Sequence, residues 1–178
     1  MTSTISPKIT HARYPLMHTD DGILVGDTKV VLSSSSIVSH LKTCDECVIF
    51  AITLGLEADK DLARMQVEDM AAALAIDTAL NKMVEKNCGA FQNKLKREVE
   101  NEGKFITDRF SPGYGDFSLE YQKAFLALSK NRDIKLTDTN LLLPSKSVTA
   151  IIGISNSQQA MRNKCEVCDK KDECDKKS

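Results

Sequence analysis

Residues 109–125 read RFSPGYGDFSLEYQKAF, and the first half of that stretch is a bent, open turn between regular elements. Pro112 sets φ near the value wanted at the second position of a tight turn, and Gly113 supplies the positive φ that a type II turn needs at the third. With no side chain at Gly113, a ligand can approach the main chain closely. Arg109 and Tyr114 flank the same short loop. A guanidinium pairs bidentately with a carboxylate, and a tyrosine ring face suits a heterocycle or a cation such as a sulfonium. The plain alternative is a structural turn, with Arg109 solvated and Tyr114 packed on the core. Beyond the turn, Asp116 or Ser118 is placed to cap a helix over residues 119–129, with Tyr121, Phe125 and Leu128 toward the core.

Downstream, residues 136–143 and 147–155 are two strand candidates joined by Pro144-Ser145-Lys146, which is hairpin length. Upstream, Phe105-Ile106-Thr107 is short and strand-like. Residues 56–102 contain no proline and one glycine, Gly89, in a composition that favours helix. Two helices are the economical reading. Leu62, Met65 and Met70 line one face of the first; Ala73, Ile76, Leu80, Met83, Val84, Phe91, Leu95 and Val99 recur at helical spacing in the second. The run NKLKREVENEGK, residues 93–104, interleaves both charges and reads as a solvated helix face.

Further back, Val48-Ile49-Phe50-Ala51-Ile52-Thr53 is a continuous apolar run ended by Gly55, the pattern of a strand buried on both faces. Residues 22–32 place two β-branched runs around Gly26-Asp27, a hairpin signal, and the serines that follow can cap a short helix from Ile37. Residues 1–21 carry no apolar periodicity and read as a loosely ordered lead-in. Strands and helices alternate irregularly, which predicts an α+β fold. The divisions expected are the lead-in, a core over 22–155 and a tail over 156–178.

At 178 residues the chain is the size of one domain with an appendage. Lys plus Arg number 24 against 25 for Asp plus Glu, so a net charge of -1 leaves no electrostatic footprint for nucleic acid or an anionic membrane. No run is long enough for a signal sequence or a membrane span, and the chain reads as cytoplasmic. In a reducing compartment its six cysteines are expected to be free, redox-active or metal-bound instead of paired. No Ser/His/Asp arrangement, carboxylate pair or Gly-rich phosphate loop is legible, which disfavours an independent hydrolase. His11, His18 and His40 have no metal-binding spacing and read as surface or turn histidines.

The turn at 109–125, followed by LTDTNLLLPSKSVTAIIGIS at 136–155, resembles the activation (reactivation) domain of cobalamin-dependent methionine synthase. In that family an R-x-[SA]-P-G-Y turn leads into a helix, and an L-T-[ED]-S-type strand reaches a Pro before an S-V-S/T strand. The similarity spans roughly residues 41–154, with FAITLG at 50–55 also fitting. It implies a single α+β domain whose bent antiparallel sheet packs against helices. It also implies a module that binds S-adenosylmethionine and presents its methyl group to oxidised, inactive cobalamin, so that an unfavourable one-electron reduction is drawn forward by methyl transfer. Arg109 would pair with the methionine carboxylate, Ser111 and Gly113 would offer main-chain contacts, and Tyr114 would pack on the ligand. The implied partners are a cobalamin-binding methionine synthase or related corrinoid protein, served in trans, and an electron donor protein. With no substrate, folate or cobalamin module expected, the resemblance implies an activator or component that is not a complete enzyme alone. The family's acidic N-terminal ligand contact and the His-Glu pair of its long helix have no counterpart here.

The tail carries Cys165-Glu-Val-Cys168 and, after five intervening residues, Cys174. C-x-x-C spacing lets two thiolates reach one ion, and the third makes a zinc or iron–sulfur site conceivable, with Cys44, Cys47 or Cys88 as a fourth ligand. Two alternatives stay open: a redox or electron-transfer protein that uses these cysteines on the same scaffold, and a tail of free thiols.

Overall fold

The structure, a computed structural model, describes residues 5–157. In chain order its elements are β1 (Lys8–Thr19), β2 (Gly22–Val25), β3 (Val31–Leu32), α1 (Ser35–His40), β4 (Glu46–Thr53), α2 (Leu56–Glu68), α3 (Met70–Asn101), β5 (Phe105–Ile106), α4 (Tyr121–Leu128), β6 (Lys135–Leu136), β7 (Leu142–Leu143) and β8 (Ser147–Ser155). The fold is α+β. Six strands form a bent antiparallel sheet in the order β3-β2-β1-β4-β8-β5.

The apolar run of β4 lies at the centre of that sheet, paired with β1 on one side and β8 on the other. Alternate side chains point to opposite faces. Val48, Phe50 and Ile52, with Ala150, Ile152 and Ile154 of β8, meet the apolar stripe of α2 and α3: Ala58, Leu62, Ala73, Leu80, Val84, Phe91, Leu95 and Val99. Cys47, Ile49 and Ile151 face the other way, onto Ile37 and Leu41 around α1 and onto Phe117, Phe125 and Leu128 around α4. Each of these large apolar side chains is worth about 1.5–3 kcal/mol when fully buried. Gly153 of β8 lets α1 come close, because a Cβ there would strike Cys44 Sγ and lie 2.7 Å from Leu41 Cδ2.

The long helical stretch breaks where the chain supplies a cap. Asp69 is extended at φ -155°, and its carboxylate accepts from the N–H groups of Ala71 and Ala72, both at 3.0 Å, which starts α3. Met70 is solvent-exposed and does not join the face of Leu62.

Three expectations are corrected. The lead-in is not loose: Lys8–Thr19 is a 12-residue strand, laddered to β4 from Lys8↔Thr53 to Pro15↔Glu46 and to β2 from Leu16↔Val25 to Thr19↔Gly22. Its side chains are mostly polar and none is fully buried, so the hydrophobic signal is weak. Main-chain pairing orders it, with the Tyr14 hydroxyl donating to the Leu128 carbonyl at 2.7 Å. Residues 136–143 are not one strand. Thr137 N–H donates to the Leu141 carbonyl at 2.9 Å, and Asn140 takes φ 61°, so the segment folds into the small β6-β7 hairpin. Pro144-Ser145-Lys146 accordingly does not link paired strands. Asp59 of α2 accepts from Ser145 N–H at 2.7 Å, while Lys146 Nζ reaches Asp77 at 2.7 Å and Asn81 at 2.8 Å on α3.

Candidate functional site

A bulge aims Arg109. Thr107 N–H donates to the Gly153 carbonyl and Phe110 exchanges two bonds with Ile151, all at 2.9 Å, so the step from 107 to 110 opposes the shorter step from 153 to 151. The extra residue lies at Asp108-Arg109 and bends the strand. Arg109 turns toward α3, where Nη2 donates to Glu85 Oε2 at 2.7 Å. Its side chain is 19% exposed against 62% for Glu85. Nη1 is buried and makes no hydrogen bond to any nitrogen or oxygen, with the Cys88 thiol beside the guanidinium.

Burial works against the Arg109 charge, but Glu85 and the adjacent Cys88 outweigh it, so the guanidinium sits above its ordinary value. Burial pushes the Cys88 thiol up, with Arg109 pulling the other way. On the opposite side of the bulge, His40 Nε2 lies 3.1 Å from Thr107 Oγ1 and 2.9 Å from the Asp108 carbonyl, with its ring 4.8 Å from Phe110. His40 is therefore a half-buried packing group, not a surface histidine, and burial lowers its pKa.

The turn itself has the expected chemistry. Tyr114 N–H donates to the Ser111 carbonyl at 3.1 Å, and Gly113 takes φ 99°. A second loop closes directly after it through Phe117 N–H to the Tyr114 carbonyl at 2.9 Å and Gly113 N–H to the Phe117 carbonyl at 2.7 Å. Phe110 and buried Phe117 anchor the underside, with centroids 6.0 Å apart. The outer side presents Gly113 and Tyr114, and Tyr114 is 54% exposed instead of packed on the core.

Asp116 does not cap the helix after the turn, whereas Ser118 does: its Oγ accepts from the Glu120 N–H at 3.2 Å at the entry to α4, where Glu120 already has helical backbone angles. The Asp116 carboxylate reaches across to the start of α1, accepting from Ser35 N–H at 2.8 Å, Ser35 Oγ at 2.7 Å and Ser36 N–H at 3.0 Å. Bonds from Ser36 and Ser35 hold this carboxyl well below the usual carboxylate range. The turn is thereby tied at both ends, by the β8 ladder and by α1. Arg109, Ser111, Gly113 and Tyr114 lie on one short segment, with Arg109 directed at α3 and Tyr114 packed on Phe110 and half-exposed. Glu85, 24 positions earlier, is the member that sequence reading missed. On the helix it resembles any solvated glutamate, and only the approach of the bulge distinguishes it.

Cys165, Cys168 and Cys174 lie outside the described residues. Cys44, Cys47 and Cys88 are buried free thiols. Burial pushes Cys44 up to about 12 and Cys47 higher still, which opposes the thiolate that metal binding requires. Among the described residues no group of three or more His, Cys, Asp or Glu could hold a metal ion, and no helix is long and apolar enough to cross a membrane.

These features define an α+β domain built around a bent antiparallel sheet that displays one bulge-and-turn site along its long helix. The particular architecture is methionine synthase activation-domain-like. It is shared with the crystal structure of the MetH reactivation domain bound to AdoHcy, at a TM-score of 0.62 and 16% identity, over 83% of this chain and 58% of that one. The chain thus spans less than two thirds of that chain's length. No protein-family model and no curated protein matches the chain.

Proposed function

We propose that this protein binds S-adenosylmethionine at the Arg109–Tyr114 turn and supports reductive remethylation of cobalamin carried by a separate methionine synthase or corrinoid protein. One observation carries the reading: Arg109 is held against α3 with a buried Nη1 that makes no hydrogen bond, a few residues before a turn whose backbone takes a positive φ at Gly113. A buried guanidinium nitrogen without a partner is costly, and a ligand carboxylate would satisfy it. The likeness in fold to a domain crystallised with AdoHcy supports the same ligand class. Tyr114 offers its ring to the ligand, and the main chain of Ser111 and Gly113 offers polar contacts.

In this reading the partner's cobalamin supplies the cobalt that accepts the methyl group, and a separate reductant supplies the electron. This chain contributes position. It fixes the carboxylate end on a rigid bulge and leaves the sulfonium end at the outer surface.

Isothermal titration with S-adenosylmethionine, on the full chain alone and with a cobalamin-loaded partner, tests the reading. Saturable binding at 1:1 in either arm is expected. Absence of binding in both overturns it.

A further inference from the structure

We propose that Glu85 is the second half of the ligand clamp: with Arg109 it selects ligands that end in a zwitterionic α-amino acid, Glu85 holding the ammonium while Arg109 holds the carboxylate. The inference rests on the S-adenosylmethionine reading above and names the feature of the ligand that the site reads.

Arg109 Nη2 and Glu85 Oε2 are 2.7 Å apart, and the two side chains differ sharply in access. The arginine is mostly enclosed and keeps one nitrogen idle; the glutamate is mostly solvated and reaches in from α3. A ligand carboxylate that takes Nη1 therefore arrives within a few ångströms of the Glu85 carboxylate. A simple anion would be repelled there by the like charge of Glu85. An α-amino acid carries an ammonium one carbon from its carboxylate, at a spacing that matches the adjacent cation and anion of the protein. The same pair attracts the zwitterion and discriminates against anions lacking the ammonium. No other carboxylate is paired with Arg109 among the described residues, so Glu85 is the group positioned for this role.

The test compares wild type, Glu85→Gln and Arg109→Ala by isothermal titration with S-adenosylhomocysteine and with its analogue lacking only the amino group. Glutamine keeps the size of the side chain and a hydrogen bond to Arg109, and a thermal melt checks that the variant is folded. Wild type should prefer S-adenosylhomocysteine by about 10-fold or more, a preference that Glu85→Gln should abolish by weakening that ligand alone. Arg109→Ala should weaken both ligands. The clamp is overturned if wild type does not distinguish the two, if Glu85→Gln changes neither, or if it weakens both equally, since equal loss would mean that Glu85 merely steadies Arg109. If wild type binds S-adenosylmethionine but not S-adenosylhomocysteine, the preference is measured with the former's des-amino analogue. Binding of none of these ligands overturns the functional reading and the clamp together.

Discussion

Two arginines clasp the long helix α3, and they are treated oppositely. Arg13 of β1 uses all three nitrogens: Nε donates to Glu46 at 2.6 Å, while Nη1 and Nη2 donate to Glu102 at 2.7 Å each. Lys104 also bonds Glu46, closing a network across β1, β4 and the C-terminal end of α3. Arg109 meets the same helix further back with one glutamate and leaves Nη1 buried and unused. A saturated guanidinium is structural, since nothing remains for a ligand to satisfy. An unsaturated one is a cost to the folded state, tolerated where binding recovers it.

The sharpest way to break the contrast is Arg109→Ala. S-adenosylmethionine binding should fall roughly 100-fold by titration calorimetry, as expected when one partner of a buried, hydrogen-bonded charge pair is removed. The melting temperature should barely move. Gly113→Val comes next. Its φ of 99° disfavours a β-branched residue, and a Cβ would sit 3.2 Å from Leu119 Cδ2. Affinity should drop about 10-fold and stability by roughly 1–2 kcal/mol, read by titration and chemical denaturation.

Arg13→Ala reverses the pattern. Ligand affinity should be unchanged while the melting temperature falls about 2–4 °C, the size of roughly 1 kcal/mol in a domain of this length. If binding falls as well, the division between structural and functional arginines is wrong.

The smallest effect is a pH dependence. Bonds from Arg13 lower the Glu46 and Glu102 carboxyls, and bonds from Ser36 and Ser35 lower Asp116. Folded-state values below the unfolded ones give stability that is present above about pH 4 and is lost as pH falls through the folded-state values. Melts from pH 6 down to pH 2 should show this acid loss in wild type. Asp116→Asn should be less stable at pH 6 and show a shallower acid slope. A slope identical to wild type would remove Asp116 from the linkage.

Legibility in the sequence tracked the range of the forces involved. The buried strand from Val48 and the helical stretches carry their burial in their composition, so they could be read locally. The Ser111-Pro112-Gly113-Tyr114 turn could be read for the same reason: proline and glycine limit φ within a few residues. Lys8–Thr19 could not, because a polar strand ordered by its ladder to β4 has no apolar alternation to show. Asp116 was legible as a cap but not as the cap of a helix some 80 positions earlier.

The sequence by itself therefore determined the α+β class, the central buried strand and the turn, since each follows from local sterics and hydrophobic period. Tertiary structure alone decided that a bulge opposite Gly153 points Arg109 at α3, that Glu85 meets it there, and that Asp116 ties the turn to α1. Those outcomes depend on strand register and on which helix lies across which sheet face. Such contacts join residues 24 to 81 positions apart, beyond the reach of any local pattern.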